Sequence, residues 1–241
     1  MQQIALKKEE LDYKSVEAYK TLRTNVEFSG SNVKVVAVTS CTPNEGKSST
    51  AFQMAVSFAP NGKKVLLVDA DLRKSVLVRR HHKGKLRLGL VHYLVGKYSF
   101  EEVCCETDVP NFHMVFAGPV PPNPSELLGN QQFTEMLEKV RKEYDLVIID
   151  TPPVGSVIDG AVVARQCDGI IMIIANGEIS YRFAQKVKEQ LDVTGCKILG
   201  CVLNKVNMGK GNRYGYYGKY YGRYYGKYYG KYYGKYYGNY E

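Results

Sequence analysis

The chain has 241 residues, enough to bury one sizeable core in one or two domains. Hydrophobic residues make up 44% and charged residues 24%, as in soluble globular proteins, and the net charge is +9. Residues 210–241 hold seven Lys or Arg and one acid, hence +6 of that charge, so the remainder argues only weakly for a nucleic-acid-binding domain.

The termini and cysteines indicate the compartment. Six cysteines form no CxxC pair, which favours reduced intracellular thiols over a disulfide framework. The first 14 residues contain no apolar core of a signal peptide, and no stretch approaches 18 apolar residues. We therefore expect a cytoplasmic protein without a membrane span.

The predicted elements alternate along the chain. An apolar stripe predicts an amphipathic helix over about 15–29. Runs rich in Val, Ile and Leu predict strands at 34–40, 64–70, 112–118, 145–151, 168–175 and 197–204. Helical spacing predicts helices over 47–59, 125–143 and 180–193, with Ser125 as N-cap of the second. This alternation predicts an α/β fold, a mostly parallel sheet with helices on both faces.

The C-terminal segment has a different composition. It repeats a four-residue unit, Lys/Arg-Tyr-Tyr-Gly, and contains 14 of the 20 tyrosines. No aliphatic residue follows Met208, so we predict a folded domain over 1–206 and a disordered tail over 207–241. Three functions are compatible with such a tail: single-stranded nucleic-acid binding, self-association, or a set of phosphoacceptors.

The sequence TSCTPNEGKSS, from Thr39 to Ser49, joins the first of these strands to a helix. GKS before a helix is typical of a P-loop, in which backbone N–H groups hold phosphates, the lysine reaches the β and γ oxygens, and the serine ligates Mg²⁺. Cys41 replaces the usual leading glycine, and a strand–helix turn with a chance GKS is the alternative. The candidate ATP-binding residues here are Thr42, Pro43, Asn44, Glu45, Gly46, Lys47, Ser48 and Ser49.

Acidic residues end two further strands. VLLVDADLR brings Asp69, Asp71 and Arg73, and LVIIDTPP brings Asp150. Carboxylates at the C-terminal edge of an α/β sheet can hold Mg²⁺ and accept a hydroxyl proton. Each motif alone is equally compatible with a solvated loop. Together with GKS they predict one Mg·nucleotide site on a P-loop NTPase fold.

The order SCTPNEGKSS, VLLVDADLR, PPNPSELL and VIIDTPPV, followed by a tyrosine cluster, resembles the bacterial tyrosine kinases of polysaccharide synthesis (BY-kinases). The resemblance is to the separate cytoplasmic type of Gram-positive bacteria and covers essentially the whole chain. It implies an ATP-dependent protein-tyrosine kinase that autophosphorylates its C-terminal tyrosines and so regulates polysaccharide polymerisation or export.

The resemblance also implies roles for individual residues. Lys47 would clamp the phosphates, and Asp69 would accept the tyrosine proton. The predicted catalytic residues are Lys47, Asp69, Asp71 and Arg73, and the predicted Mg²⁺ ligands are Ser48, Asp71 and Asp150. Asn204 stands where related P-loop proteins contact the base, although a polar strand end is the alternative.

The implied partners concern assembly and recruitment. The spacing of the family's oligomerisation motif is present at Glu17, Lys20 and Arg23. The family usually has arginine where this chain has Lys20. A solvated helix flank is the alternative interpretation. We expect a ring-like homo-oligomer, and a membrane-bound activator or chain-length protein whose cytosolic segment recruits the chain to the inner face of the membrane. A cognate phosphotyrosine phosphatase is also expected, and no nucleic acid.

The tail beside such a kinase is best interpreted as substrate, because about three or four phosphates of −1.5 to −2 each would cancel its +6. The predicted phosphoacceptors are Tyr216, Tyr217, Tyr220, Tyr221, Tyr224, Tyr225, Tyr228, Tyr229, Tyr232, Tyr233, Tyr236, Tyr237 and Tyr240. The main alternative is a partitioning-type P-loop ATPase. Such proteins carry an extra lysine five residues before the P-loop lysine, where this chain has Thr42.

Two pairs of adjacent residues, a His-His pair and a Cys-Cys pair, are interpreted as structural rather than functional. His81-His82 is expected in an exposed basic loop, because no second ligand pair lies nearby. Cys104-Cys105 is expected as two thiols of a helix or loop rather than a redox couple.

Overall fold

The computed structural model describes residues 1–7, 10–82, 84 and 86–206. Met1–Lys205 form one unit, and Val206–Glu241 form a second, of which only Val206 is described. The predictions for the tail, namely its disorder and its phosphoacceptor tyrosines, therefore lie outside the described residues.

Within the described residues, eight strands form one sheet. They are β1 (Gln2–Ile4), β2 (Val35–Ser40), β3 (Val65–Asp69), β4 (Cys104–Thr107), β5 (Phe112–Val115), β6 (Leu146–Asp150), β7 (Gly169–Ala175) and β8 (Ile198–Asn204). The order across the sheet is β1-β4-β5-β3-β6-β2-β7-β8, and only the β4–β5 pair is antiparallel. The predicted mostly parallel sheet is confirmed.

Helices cover both faces of this sheet. They are α1 (Tyr13–Glu27), α2 (Lys47–Phe58), α3 (Leu77–His81), α4 (Leu90–Leu94), α5 (Phe100–Val103), α6 (Pro124–Leu128), α7 (Gln131–Glu143), α8 (Asp159–Ala164) and α9 (Tyr181–Asp192). Alternate residues of β2 serve the two faces: Val36 and Val38 pack in the cluster that contains α2, and Val35 packs in the cluster that contains α7. Because both faces are covered, the central strands are buried, as their continuous apolar runs predict. No helix in the described ranges is both long and apolar enough to cross a membrane.

The predicted helix over 125–143 is two helices, and Ser125 is not its N-cap. The chain leaves the helical path after α6, and the Asn130 side chain starts α7 by accepting a hydrogen bond from the Phe133 amide at 2.9 Å. Ser125 lies inside the short α6, where its hydroxyl donates to Asp159 at 2.5 Å. An asparagine that satisfies a free amide favours a new helix start over a continuous helix.

Two expectations about side-chain pairs are wrong. His81 and His82 are not in an exposed loop: both are buried, and His81 ends α3 with its ring stacked on Phe52, the centroids 3.7 Å apart. Cys104 and Cys105 lie in neither a helix nor a loop. They are buried, free thiols in β4. In both cases burial comes from packing against distant segments, which the local sequence does not reveal.

The sheet order brings the predicted motifs together. Strands β3, β6 and β2 are consecutive parallel neighbours, so their C-terminal ends meet at one edge. In the β3–β6 register Asp69 stands directly opposite Asp150. Ligands bind at this edge of open α/β sheets, and this edge is where the phosphate loop leaves β2.

Candidate active site

The phosphate loop connects β2 to α2 through an unusual backbone path. Asn44 and Gly46 have positive φ angles of 68° and 91°, and Gly46 immediately precedes the first residue of α2. A side chain at position 46 would also collide with Asn204, because a Cβ there would lie 2.1 Å from the Asn204 amide nitrogen. Glycine is therefore favoured here by the backbone conformation, and a larger residue would also displace the Asn204 side chain. The path leads directly into the N-terminus of a 12-residue helix, a favourable place for phosphate.

Glu45 fixes this loop to the sheet. Its side chain is fully buried and accepts hydrogen bonds from the Thr42 amide at 2.5 Å and from the Ala175 amide in β7 at 2.9 Å. The Thr42 hydroxyl donates to the same carboxylate at 3.1 Å. The carboxylate thus binds amides of the loop and of a strand together, and these hydrogen bonds lie within the protein.

Lys47 lies among the acids at the ends of β3 and β6. Its ammonium is 3.0 Å from Asp71 Oδ2, 3.8 Å from Asp150 Oδ1 and 3.3 Å from the Ser48 hydroxyl. Burial alone lowers the pKa of Lys47, but the carboxylates of Asp150 and Asp71 outweigh it and raise that pKa above its ordinary value. The lysine is therefore a buried, permanent cation, as a phosphate clamp must be.

Asp69 and Asp150 face each other in the core of the sheet edge. Both are essentially inaccessible. Burial, together with the nearby Asp150, raises the pKa of Asp69 to about 8, and burial raises the pKa of Asp150 against the opposing effect of Lys47. The Ser75 hydroxyl donates to Asp69 Oδ2, whereas Asp150 Oδ1 has no hydrogen-bond partner within the described ranges. A buried carboxylate oxygen that has a cation at 3.8 Å but no hydrogen bond is suited to binding a ligand.

Lys47, Ser48 and Asp71 line a cavity of about 200 Å³, whereas Asp150 is not among its lining residues. Of the two acids in the VLLVDADLR motif, only Asp71 lines the cavity. The predicted site residues that line the cavity are Pro43, Asn44, Gly46, Lys47, Ser48, Asp71 and Arg73. Ser49 points to the rim, where its hydroxyl accepts a hydrogen bond from Arg80 at 2.7 Å. Most of the predicted nucleotide site is thus brought together around one space.

Arg73 belongs to a network that the sequence did not predict. Its Nε donates to Asp159 Oδ2 at 2.7 Å and its Nη2 to Asp159 Oδ1 at 3.0 Å. Burial alone would raise the pKa of Asp159, but the bonds from Arg73 and Ser125 outweigh it and keep that pKa below its usual range. Asp159 is therefore an ionised, fully buried partner of a cavity-lining arginine.

Asn204, at the end of β8, reaches the phosphate loop from the opposite side. Its amide nitrogen donates to the Glu45 carbonyl at 2.8 Å. Asn204, the residue predicted to contact the nucleotide base, thus lies beside the phosphate loop.

The three residues of the predicted oligomerisation motif lie on α1 but make contacts within the chain. Lys20 pairs with Glu17 at 2.7 Å, and both side chains are about half exposed. Arg23 donates to the Ser57 carbonyl at 2.8 Å, which attaches α1 to α2. Glu17 and Lys20 are thus available at the surface, whereas Arg23 has a structural bond.

The fold and the site together define a P-loop nucleotide-binding protein, and the AAA domain family matches residues 33–192. Tyrosine-protein kinase CpsD of Streptococcus agalactiae is 42% identical over 208 residues, covering 86% of this chain and 91% of the relative. Tyrosine-protein kinase YwqD of Bacillus subtilis is 40% identical over 204 residues, covering 84% and 86%. The chain therefore belongs to the bacterial tyrosine kinases of capsule synthesis, the BY-kinases, in their separate Gram-positive type.

Solved structures agree with this assignment. The kinase domain of Escherichia coli tyrosine kinase ETK superposes with a TM-score of 0.76 at 30% identity, over 86% of this chain and 85% of that one. The chimerical protein CapA2B2 gives 0.74 at 28% identity, over 84% and 93%. The septum site-determining protein MinD of Pyrococcus horikoshii, complexed with Mg-ADP, gives 0.62 at 21% identity, over 73% and 72%, a likeness of fold alone.

Proposed function

We propose that this kinase transfers the γ-phosphoryl group of Mg·ATP to tyrosines of the C-terminal cluster, its own or a neighbouring copy's, and thereby regulates polysaccharide polymerisation or export. The observation that carries the proposal is the position of Lys47, held 3.0 Å from Asp71 at the wall of a cavity that the phosphate loop also lines. Fourteen tyrosines in residues 207–241 supply acceptors on the same chain.

The residues present fit Mg²⁺ bound together with a nucleotide. Among the described residues no group of three or more His, Cys, Asp or Glu side chains is arranged to hold a metal by itself. Nucleotide-bound Mg²⁺ needs only one or two carboxylates, because phosphates and water complete its octahedron. Asp150 Oδ1 has no hydrogen-bond partner within the described residues. The Lys47 ammonium near this oxygen also donates hydrogen bonds to Ser48 and Asp71, so the three side chains surround one position. These three residues would hold the ion, which when bound neutralises charge on the transferred group.

The chain's own groups would orient the reactants and take the tyrosine proton. Lys47 would move its ammonium from the carboxylates to the phosphate oxygens, and the amides at the start of α2 would hold the phosphates. We assign the proton to Asp69, because burial and the nearby Asp150 raise its pKa to about 8, toward that of tyrosine. Asp69 does not line the cavity and is fully buried, so this role requires the segment after β3 to move when substrate binds.

Assembly and recruitment remain parts of the same proposal. A ring formed through Glu17 and Lys20 would bring one copy's tail to another's cavity, and a membrane-bound partner would hold the chain at the inner face of the membrane. Asn204 would contact the base.

The test is intact mass spectrometry of the full chain incubated with Mg·ATP, beside the Lys47→Met variant and a chain truncated after Met208. We expect a ladder of 80-Da additions in the native chain only. The truncated chain should still bind Mg·ATP, because the P-loop and its acids precede Met208. Phosphate incorporation by Lys47→Met, or onto residues other than tyrosine, would contradict the proposal. To cover dependence on a partner, the native chain is also incubated with a peptide that carries the cytosolic segment of the expected membrane-bound activator.

A further inference from the structure

Arg73 reaches the cavity from a position fixed by two distant segments. Asp159, the first residue of α8, binds Nε and Nη2 of the guanidinium, and Ser125 in α6 accepts from Nη2 at 3.3 Å. Ser125 also donates to Asp159 at 2.5 Å, so the three side chains form a closed triangle. In the described part of the chain Nη1 donates no hydrogen bond, which leaves that edge of the guanidinium for a ligand.

The anchor of this triangle is rigid. Asp159 is fully buried, whereas the Arg73 side chain is 42% exposed. The next residue, Gly160, packs so closely that a Cβ there would lie 2.7 Å from Val154 and 3.0 Å from the Pro152 carbonyl. The start of α8 is therefore fixed against the segment that follows Asp150. A two-pronged ion pair in which only the carboxylate is buried fixes the orientation of the arginine more than it stabilises the fold.

The direction of Arg73 follows from its neighbours. Asp71, two residues earlier, holds Lys47 in the same cavity wall. Arg73 and Lys47 thus line one cavity, as cations that stabilise a phosphoryl group in transfer do. Arginine serves this purpose well because its planar fork binds phosphate oxygens in pairs.

We propose that Asp159 and Ser125 are positioning residues that hold Arg73 at the cavity wall, so that its free edge binds the oxygens of the phosphoryl group in transfer. The inference deepens the proposed function and rests on it for the identity of the reaction. Asp159 and Ser125 touch neither nucleotide nor acceptor; they act through the arginine.

The test compares the affinity of the full chain for Mg·ADP alone and for Mg·ADP with aluminium fluoride, which imitates the transferred group. Isothermal titration of the native chain should give a fluoride-dependent gain in affinity. In Asp159→Asn that gain should fall about 10- to 100-fold, as when other outer-shell partners are removed, with Mg·ADP affinity within about twofold. Ser125→Ala, which removes one neutral hydrogen bond, should lose about fivefold and serves where Asp159→Asn does not fold.

A double-variant cycle separates positioning from a structural role. If Asp159 acts through Arg73, then Arg73→Ala combined with Asp159→Asn should lose no more of the gain than Arg73→Ala alone. The matched control is Arg141→Lys, which breaks an arginine–aspartate pair with Asp168 away from the cavity and should leave the gain unchanged. Additive losses, a gain retained in Asp159→Asn, or no gain in the native chain would each overturn the proposal. A native chain that shows the gain but forms no phosphotyrosine would instead refute tyrosine transfer.

Discussion

Glu45 offers a quantitative test of how the phosphate loop is held. The Glu45→Gln variant keeps one carbonyl oxygen but turns an amide NH₂ toward a backbone N–H donor, either that of Thr42 or that of Ala175. At least one hydrogen bond to a charged group is lost, a change of about 1.5–3 kcal/mol in the free energy of unfolding. For a unit of this size the melting temperature should fall by roughly 3–12 °C.

The assay is thermal and urea unfolding followed by circular dichroism. Glu178→Gln is the matched control, because Glu178 forms an ion pair with Lys205 at 2.9 Å in which both side chains are nearly half exposed. That loss should stay below about 1 kcal/mol. If Glu45→Gln unfolds at the native midpoint, the buried carboxylate does not hold the loop. A loss of Mg·ATP affinity without a loss of stability would instead support direct contact with the nucleotide, the role predicted from the sequence.

Three further predictions concern the site, the fold and assembly. Lys47→Met and Asp69→Asn should both abolish tail phosphorylation in the mass assay. Only the lysine variant should weaken Mg·ATP binding by more than about tenfold, or 1.4 kcal/mol. Normal labelling by Asp69→Asn would exclude Asp69 as the proton acceptor. Asp168→Asn should lower the free energy of unfolding most at neutral pH. Burial disfavours the charged form of Asp168, but Arg141 and the amides of Val35 and Lys34 favour it more, so the pKa of Asp168 is lowered. The stabilisation is therefore present above about pH 4 and is lost as pH falls through the folded pKa. In urea titrations the difference between variant and native chain should be large at pH 7 and smaller at pH 3. Light scattering before and after ATP should find that the native chain becomes smaller on phosphorylation and that Glu17→Ala is small from the outset, and a native chain of constant mass would contradict this.

The sequence predicted those parts of the fold whose signals are local. Strands covered on both faces need continuous apolar runs, and all six such runs are strands in the structure. The GKS turn and the acids at strand ends also lie close together, because neighbouring parallel strands end at the same edge of the sheet. Strands β1 and β4 escaped prediction because they are three and four residues long and contain polar residues, so only their neighbours make them strands.

The missed part of the candidate site depends on contacts between distant segments. Asp159 stands alone in a loop-like stretch, and its partner Arg73 is 86 positions earlier. Ser125 resembled a helix cap because it follows Pro124, yet its hydroxyl is used across the fold. Glu45 was expected to contact the nucleotide. Its hydrogen bond from an amide of β7 was missed, because nothing in the motif reveals that this strand lies nearby. Pattern identifies which residues can do chemistry, and tertiary packing decides which of them support the others.

Cys41, which replaces the leading glycine of the motif, gives the chain a built-in reporter of loop opening. The thiol is fully buried, and burial together with the nearby Glu45 raises its pKa to about 11, so it is both shielded and protonated at neutral pH. A thiol reagent can reach it only when the loop transiently unfolds, so its labelling rate follows the equilibrium between closed and open forms, as amide hydrogen exchange does. Once the other five cysteines are replaced by serine, the rate at which Cys41 is labelled should measure how often the phosphate loop opens, and bound nucleotide should lower that rate.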